Sequence, residues 1–172
     1  MWLDFYIRIF LFALPMYIAN AGAMLVGGKK RLDAGKNFSD KRPVFGPGKT
    51  LRGTVSGIVI GTLAGGAFYF TFPAETMQLM NANYLWLSFL LSLGAIAGDI
   101  AGSFVKRRFG IRQGKPALFL DQLDFIVGGL VFSLVAANPG ALEAGFLLVV
   151  TMVFHRAANF VAYRAKLKKV PW

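Results

Sequence analysis

The chain has 172 residues, of which 56% are hydrophobic and only 16% charged, with mean hydropathy +0.56. This balance excludes an ordinary soluble domain, and the length leaves room for one compact unit, so residues 1–172 read as a single membrane-embedded domain. The absence of cysteine rules out disulfides and thiolate metal sites. The net charge of +11 is not interleaved with exposed aromatics on a soluble surface, so nucleic acid is not an expected partner.

A bilayer core about 30 Å thick needs about 20 helical residues. Apolar stretches of that order lie at roughly 3–26, 54–73, 83–105, 118–137 and 141–163. They predict an all-α integral membrane bundle of five transmembrane helices. The first stretch opens Met1-Trp2-Leu3-Asp4, without the basic start and short apolar run of a cleavable leader. Trp2, Trp86 and Trp172 fall near span ends or in the tail, as interfacial tryptophans often do.

Eight Lys and Arg residues occupy 29–52, five occupy 106–119, and five occupy the last helix and tail, whereas the turns 74–82 and 138–140 carry none. That alternation predicts an N-terminus outside, a C-terminus in the cytoplasm, and long cytoplasmic loops at 27–52 and 106–117. The expected location is therefore the cell membrane, multi-pass, with the basic face toward the cytoplasm.

The loop 27–52 is rich in turn residues, among them Gly27, Gly28, Gly35, Pro43 and Gly46-Pro47-Gly48. Long loops of this kind commonly bind ligands or cover sites. Gly46-Pro47-Gly48-Lys49-Thr50 looks like the end of a Walker A loop, but Pro43 stands where its first glycine belongs and no strand precedes it. A Gly-rich turn followed by Lys49 and Arg52 at a helix start still suits phosphate, because free N–H groups and the helix dipole favour anions there. In the second span, Gly53, Gly57, Gly61 and Gly65 recur at every fourth position, a pattern for close helix packing.

The third span carries Asp99, Ser103 and Lys106 on one helical face, within roughly 60° of one another. A carboxylate, a hydroxyl and an ammonium on one stripe suit a metal–nucleotide site. Lys106, Arg107 and Arg108 also suit a helix end whose cations reach out to water.

Asp121 and Asp124 lie one turn apart at the start of the fourth span, where the dipole favours them. They repel each other unless a divalent ion or an arginine compensates. With Asp99 they make three oxygen donors, adequate for one or two Mg²⁺ ions that keep waters and bind phosphates. Zinc is disfavoured because His155 is the only histidine. Asn138-Pro139-Gly140 predicts a tight turn into the fifth span. There, His155, Arg156 and Asn159 form a polar stripe that serves either the site or helix packing.

Gly98-Asp99-x3-Ser103-x2-Lys106-Arg107-x2-Gly110 followed by Asp121-x2-Asp124 resembles the C-terminal signature of the CTP-dependent phosphatidate cytidylyltransferases. Phe45-Gly46-Pro47-Gly48-Lys49-Thr50-x-Arg52-Gly53 resembles their Pro-Gly-Lys-Thr segment. The short five-span form, Arg31-Leu32-Asp33-x-Gly35-Lys36, Asp40-Lys41-Arg42, and the stretch from His155-Arg156-x2-Asn159 to Pro171-Trp172 are similar to the archaeal branch, the CDP-archaeol synthases. The diacylglycerol-type enzymes carry Pro-Gly-His-Gly-Gly before the Asp pair, where this chain has Lys115 to Leu120. Their Asp-Arg-x-Asp is here Asp121-Gln122-Leu123-Asp124. Roles of that His and Arg are not carried over.

The resemblance implies CMP transfer from CTP to 2,3-bis-O-(geranylgeranyl)-sn-glycerol 1-phosphate, an isoprenoid ether lipid phosphate, releasing pyrophosphate among membrane lipids. It implies Mg²⁺ on Asp99, Asp121 and Asp124. Lys106, Arg107, Lys49 and Arg52 would hold phosphates beside Thr50, and Ser103 would orient one. Asp33, Asp40 and Arg42 would belong to the loop over the nucleotide.

Rival readings are a diacyl-specific cytidylyltransferase, a small glycerol-phosphate acyltransferase and a non-enzymatic transporter subunit. A CDP-alcohol phosphotransferase requires Asp-Gly-x2-Ala-Arg and a Gly-x3-Asp-x3-Asp run, and this chain has neither. An odd number of spans without a visible repeat counts against a transporter. The sequence sets no oligomeric state.

Overall fold

A computed structural model describes residues 2–115, 117, 119–164 and 166; side chains at 155, 158, 159 and 162 are outside that description. It is all-helical: α1 (Trp2–Val26), α2 (Leu51–Thr71), α3 (Pro73–Met80), α4 (Tyr84–Arg108), α5 (Leu120–Ser133) and α6 (Gly140–Arg164). Among the described residues there is no strand, only two isolated bridges, Arg31 to Thr50 and Asn37 to Pro43, within the loop between α1 and α2.

α2 begins at Thr50, whose hydroxyl accepts a hydrogen bond from the Gly53 amide at 3.1 Å. Such a cap satisfies one of the free amides of the first turn. Its glycine stripe does what the spacing predicts. A Cβ added at Gly57 would lie 2.7 Å from the Ala19 carbonyl oxygen, and one at Gly61 would lie 2.6 Å from that of Pro15 and 2.5 Å from the Ser92 hydroxyl. α2 therefore lies backbone-close to both α1 and α4.

α4 is the central helix, capped by the Asn83 side chain at the Trp86 amide, and its apolar face is buried at Leu87, Leu91 and Ala95. Around it, Phe12, Met16, Tyr84, Phe125, Ile126 and Leu147 make one continuous core. α4 meets α5 through glycines. A Cβ at Gly128 would stand 2.2 Å from the Gly94 oxygen, and one at Gly98 would stand 2.1 Å from the Asp124 oxygen.

Away from the basic loops, Arg8 of α1 pairs with Glu143 of α6 at 2.6 Å and donates to the Leu79 carbonyl. This ties three elements together.

Among the described residues, three helices are long and apolar enough to cross a membrane: α1, α2 and α4. The expectation of five spans meets two differences. The stretch 74–82, read as a turn, holds α3, which starts at Pro73 because proline's missing N–H costs nothing in a first turn. The fourth apolar stretch becomes a helix of only 14 residues, α5, about 21 Å long. Residues 134–136 turn instead of continuing it. α6 runs for 25 residues, with its apolar part at Gly140–Phe154.

Candidate active site

The C-terminal turns of α4, the first turn of α5 and the loop 27–50 converge at one end of the bundle. Lys106 Nζ lies 2.7 Å from Asp121 Oδ1 and 3.4 Å from Asp124 Oδ2. Lys106 is 7% exposed, and the Asp124 side chain is equally buried. Lys49, arriving from the loop, places Nζ 2.5 Å from Asp99 Oδ2. Two of the remaining oxygens accept backbone amides: Asp121 Oδ2 from Ala117 at 2.7 Å and Asp124 Oδ1 from Phe125 at 2.8 Å. Buried charges persist only with such pairing.

The geometry follows from local sequence. Gly98 and Gly102 leave a notch on α4 into which Asp124 fits, since a Cβ at Gly102 would lie 2.3 Å from Asp124 Oδ2. One turn beyond Asp99 on its face of α4 sits Ser103, 5% exposed and without a hydrogen-bond partner among the described residues. Arg107 is half-buried beside the Gly46 turn, and its Nε is buried without a partner.

The three carboxylates expected to hold metal are thus gathered at one end of the bundle but divided between two ammonium groups. Among the described residues, no three acidic or imidazole groups form a metal cage. The donor set nevertheless fits a hard divalent cation. All its donors are carboxylate oxygens, and Asp121 and Asp124 already share one cationic partner.

The loop is built around Asp33, 8% exposed. Its Oδ1 accepts the Gly35 amide at 2.9 Å, and its Oδ2 accepts Phe45 at 3.1 Å and Gly46 at 2.9 Å. Burial alone raises this carboxyl's pKa. The amides of Gly46, Gly35 and Phe45 and the charge of Arg31 outweigh it and hold the pKa below the usual carboxylate value. Gly46 adopts φ +92°, a left-handed conformation open to glycine, and the turn it makes carries the chain on to Lys49.

The middle of the loop is fastened by Arg108, which in the sequence is only one more cation of a basic run. Its guanidinium lies 4.8 Å from the ring centres of both Phe38 and Phe104. It pairs with Asp40 and donates to the Pro43 carbonyl, while Arg42 donates back to the Arg108 carbonyl. Asp40 and Arg42, expected in the loop over the nucleotide, lie against the end of α4. Phe104 and Arg108, four residues apart on α4, are the only local signal for this arrangement.

Beside the charged cluster, a cavity of about 540 Å³ runs between α4 and α5, lined by apolar side chains such as Ala101, Val105, Leu123, Val127 and Val131. Asp124 belongs to its wall. Thr50 is 7% exposed and committed to capping α2, and Arg52 is exposed on the first turn of α2. Arg156 is exposed on α6, whereas the side chains of His155 and Asn159 are outside the described residues.

Residues 2–172 match the family model described as CarS-like, CDP-archaeol synthase. The chain is 45% identical over 163 residues to the CDP-archaeol synthase of Thermococcus onnurineus, covering 95% of each chain. To that of Thermococcus kodakarensis it is 43% identical over 171 residues, covering 99% of each. To that of Methanocaldococcus jannaschii it is 42% identical over 167 residues, covering 94% of each. A solved structure described as an intramembrane enzyme for archaeal membrane lipids biosynthesis superposes with a TM-score of 0.78. It shares 36% identity, over 87% of this chain and 91% of that one.

Proposed function

The chain belongs to the CDP-archaeol synthase family, the CTP-dependent lipid cytidylyltransferases of archaeal membrane-lipid synthesis, and from that membership we propose how its residues divide the work. The observation that carries the reading is the double position of Asp124, at once a member of the ion cluster and part of the apolar groove wall. A lipid phosphate with its chains in that groove has its headgroup beside the carboxylates. The nucleotide then occupies the space under the loop that ends in Lys49.

The reaction needs no covalent intermediate. A phosphomonoester is already anionic near neutral pH, so its oxygen attacks the α-phosphorus of CTP directly. The new P–O bond forms as the bond to the β-phosphate breaks, and pyrophosphate leaves with the electron pair. Catalysis rests on in-line positioning and charge neutralisation. Asp99, Asp121 and Asp124 are the residues that would hold Mg²⁺, which when bound neutralises phosphate charge and stabilises the leaving group. Lys106 and Lys49, now on those carboxylates, are placed to turn to phosphate oxygens. Arg107, its Nε unpartnered, and Arg52 add positive charge, and Ser103 orients a phosphate through its free hydroxyl. Thr50 serves by fixing the start of α2. Asp33, Asp40 and Arg42 build the loop over the nucleotide. His155, Arg156 and Asn159 are assigned to the nucleotide side on the family resemblance alone.

The same reading takes α1, α2, α4, α5 and α6 as five spans, N-terminus outside, with the site at the cytoplasmic interface. It is supported by the gathering of every Lys and Arg except Arg8 and Arg156 in the two basic loops, the helix ends beside them and the C-terminal end of the chain. The short α5 fits a site set at the membrane edge. The preferred lipid is the geranylgeranyl ether phosphate.

The test is incubation of purified protein with CTP labelled in the α-phosphate, Mg²⁺, and either geranylgeranyl-ether or diacyl phosphate lipid. Label entering the organic phase with matching pyrophosphate, faster with the ether lipid, is the expected result. No transfer to either lipid by folded protein would overturn the reading.

A further inference from the structure

We propose that Arg108 is a positioning residue for CTP: it clasps the loop 29–50 to the end of α4, and through that clasp sets Lys49 and the Gly46–Gly48 turn over the nucleotide. This rests on the reading above in which the loop faces CTP.

Adjacent arginines on α4 are used in opposite ways. Arg107 makes no ion pair or side-chain hydrogen bond among the described residues, and its Cδ lies beside Gly46. Arg108 has both terminal nitrogens engaged: one with Asp40, the other with the Pro43 carbonyl. Its plane lies by two rings, Phe38 from the loop and Phe104 from α4, which themselves meet edge to face at 5.4 Å. Phe45 extends the stack, 6.4 Å from Phe104, and its amide is one of the three held by Asp33. The Arg42 guanidinium closes the far side, lying under Gly110, where an added Cβ would be 3.3 Å away.

The clasp thus leads by continuous contacts from Arg108 to Phe45, to the Asp33 turn, and on to the Gly46–Lys49 segment whose ammonium reaches Asp99. A planar guanidinium is what this geometry requires. Two stacking faces and a fork of donors are beyond what a lysine ammonium supplies. No residue of this chain of contacts lines the apolar groove, so the part of the site that would take the lipid chains is outside its reach.

The experiment compares Arg108→Ala, Arg108→Lys and Phe38→Ala with the unaltered protein, reading KM for CTP, KM for lipid phosphate, kcat, and the rate of tryptic cleavage after Lys36 and Lys41 without substrates. Phe38→Ala removes a ring and no charge, so it leaves a direct arginine–phosphate contact intact. All three variants are expected to raise KM for CTP, Arg108→Ala by roughly tenfold, the size of one lost charge-assisted contact. They should leave lipid KM and kcat within about twofold and speed loop cleavage. The double variant should be little worse than Arg108→Ala alone, since both changes open the same clasp.

An unchanged CTP KM and unchanged loop cleavage in Phe38→Ala, beside a large loss in Arg108→Ala, would overturn the proposal in favour of direct phosphate binding. Normal turnover with an unshifted CTP KM in Arg108→Ala would overturn it alone. Absence of CTP turnover by the unaltered protein would bring down the functional reading, and the proposal with it.

Discussion

Two residues apart on α4, Lys106 and Arg108 anchor two regions held by the same kind of force in different surroundings. Lys106 sits against Asp121 and Asp124 with a side chain 9% exposed, in the packed seam between α4 and α5. Arg108 sits at the bundle's edge, its partner Asp40 on a loop and 35% exposed. In the first region a lost partner strands a charge away from water. In the second, water replaces what is lost, and much of an exposed ion pair's Coulomb energy is screened. The contrast separates a site that must stay assembled from a strap that has room to move.

The largest expected effect breaks the first region. Asp124→Asn removes one carboxylate from the cluster while keeping its shape, and turnover should fall by roughly a thousandfold or more with the bundle still folded. Near-normal turnover in the labelled-CTP assay would remove the metal-binding role proposed for Asp124.

Next is Lys106→Met, which leaves Asp121 and Asp124 facing each other without their shared cation. A loss of stability of about 3 kcal/mol is expected, read as a lower unfolding midpoint in detergent, and partly recovered by Mg²⁺ if these carboxylates hold it.

Gly102→Ala acts on the same seam without touching charge. The new methyl collides with Asp124, so α5 must shift, at about 1–3 kcal/mol. KM for both substrates should rise together, unlike the CTP-selective change expected at Arg108.

The smallest effect belongs to the loop and sharpens the comparison through pH. Asp33 has its folded pKa held below the unfolded value of about 3.9. Its contribution is therefore complete above that value and is lost as pH falls through the lower folded pKa. Protection of the Gly35, Phe45 and Gly46 amides, measured against their intrinsic exchange rates, should hold at pH 5 and fall only once pH drops below the unfolded carboxylate value. Asp33→Asn should lower that protection throughout and remove its pH dependence, at a cost of about 1–2 kcal/mol in loop stability.

Much of the site is legible in the amino-acid sequence. Asp99, Ser103 and Lys106 share a face because α-helical periodicity puts them there, and Asp121 and Asp124 do fall at the start of α5. The stripe Gly53, Gly57, Gly61, Gly65 packs as its spacing predicts. The length of α5 is not legible, because hydropathy is continuous through Leu134 to Ala137 while the backbone turns there. Nor is α3, a short helix begun by Pro73. The partners of Asp40 and Arg42 are not legible either, since loop charges near a phosphate signature look alike in sequence. Their contacts with Arg108 depend on how the loop folds back.

Sequence by itself determined the all-helical character, the basic and apolar partition, the carboxylate spacings and the family, because each is carried by local composition or short-range periodicity. Only the tertiary structure decided that Lys106 serves both Asp121 and Asp124, that Lys49 returns to Asp99, and that Arg108 is committed to the loop while Arg107 is left unpaired. These pairings join residues far apart along the chain. Which cation meets which carboxylate is settled by the close approach of α4 and α5 through their glycines and by the loop folded around Asp33.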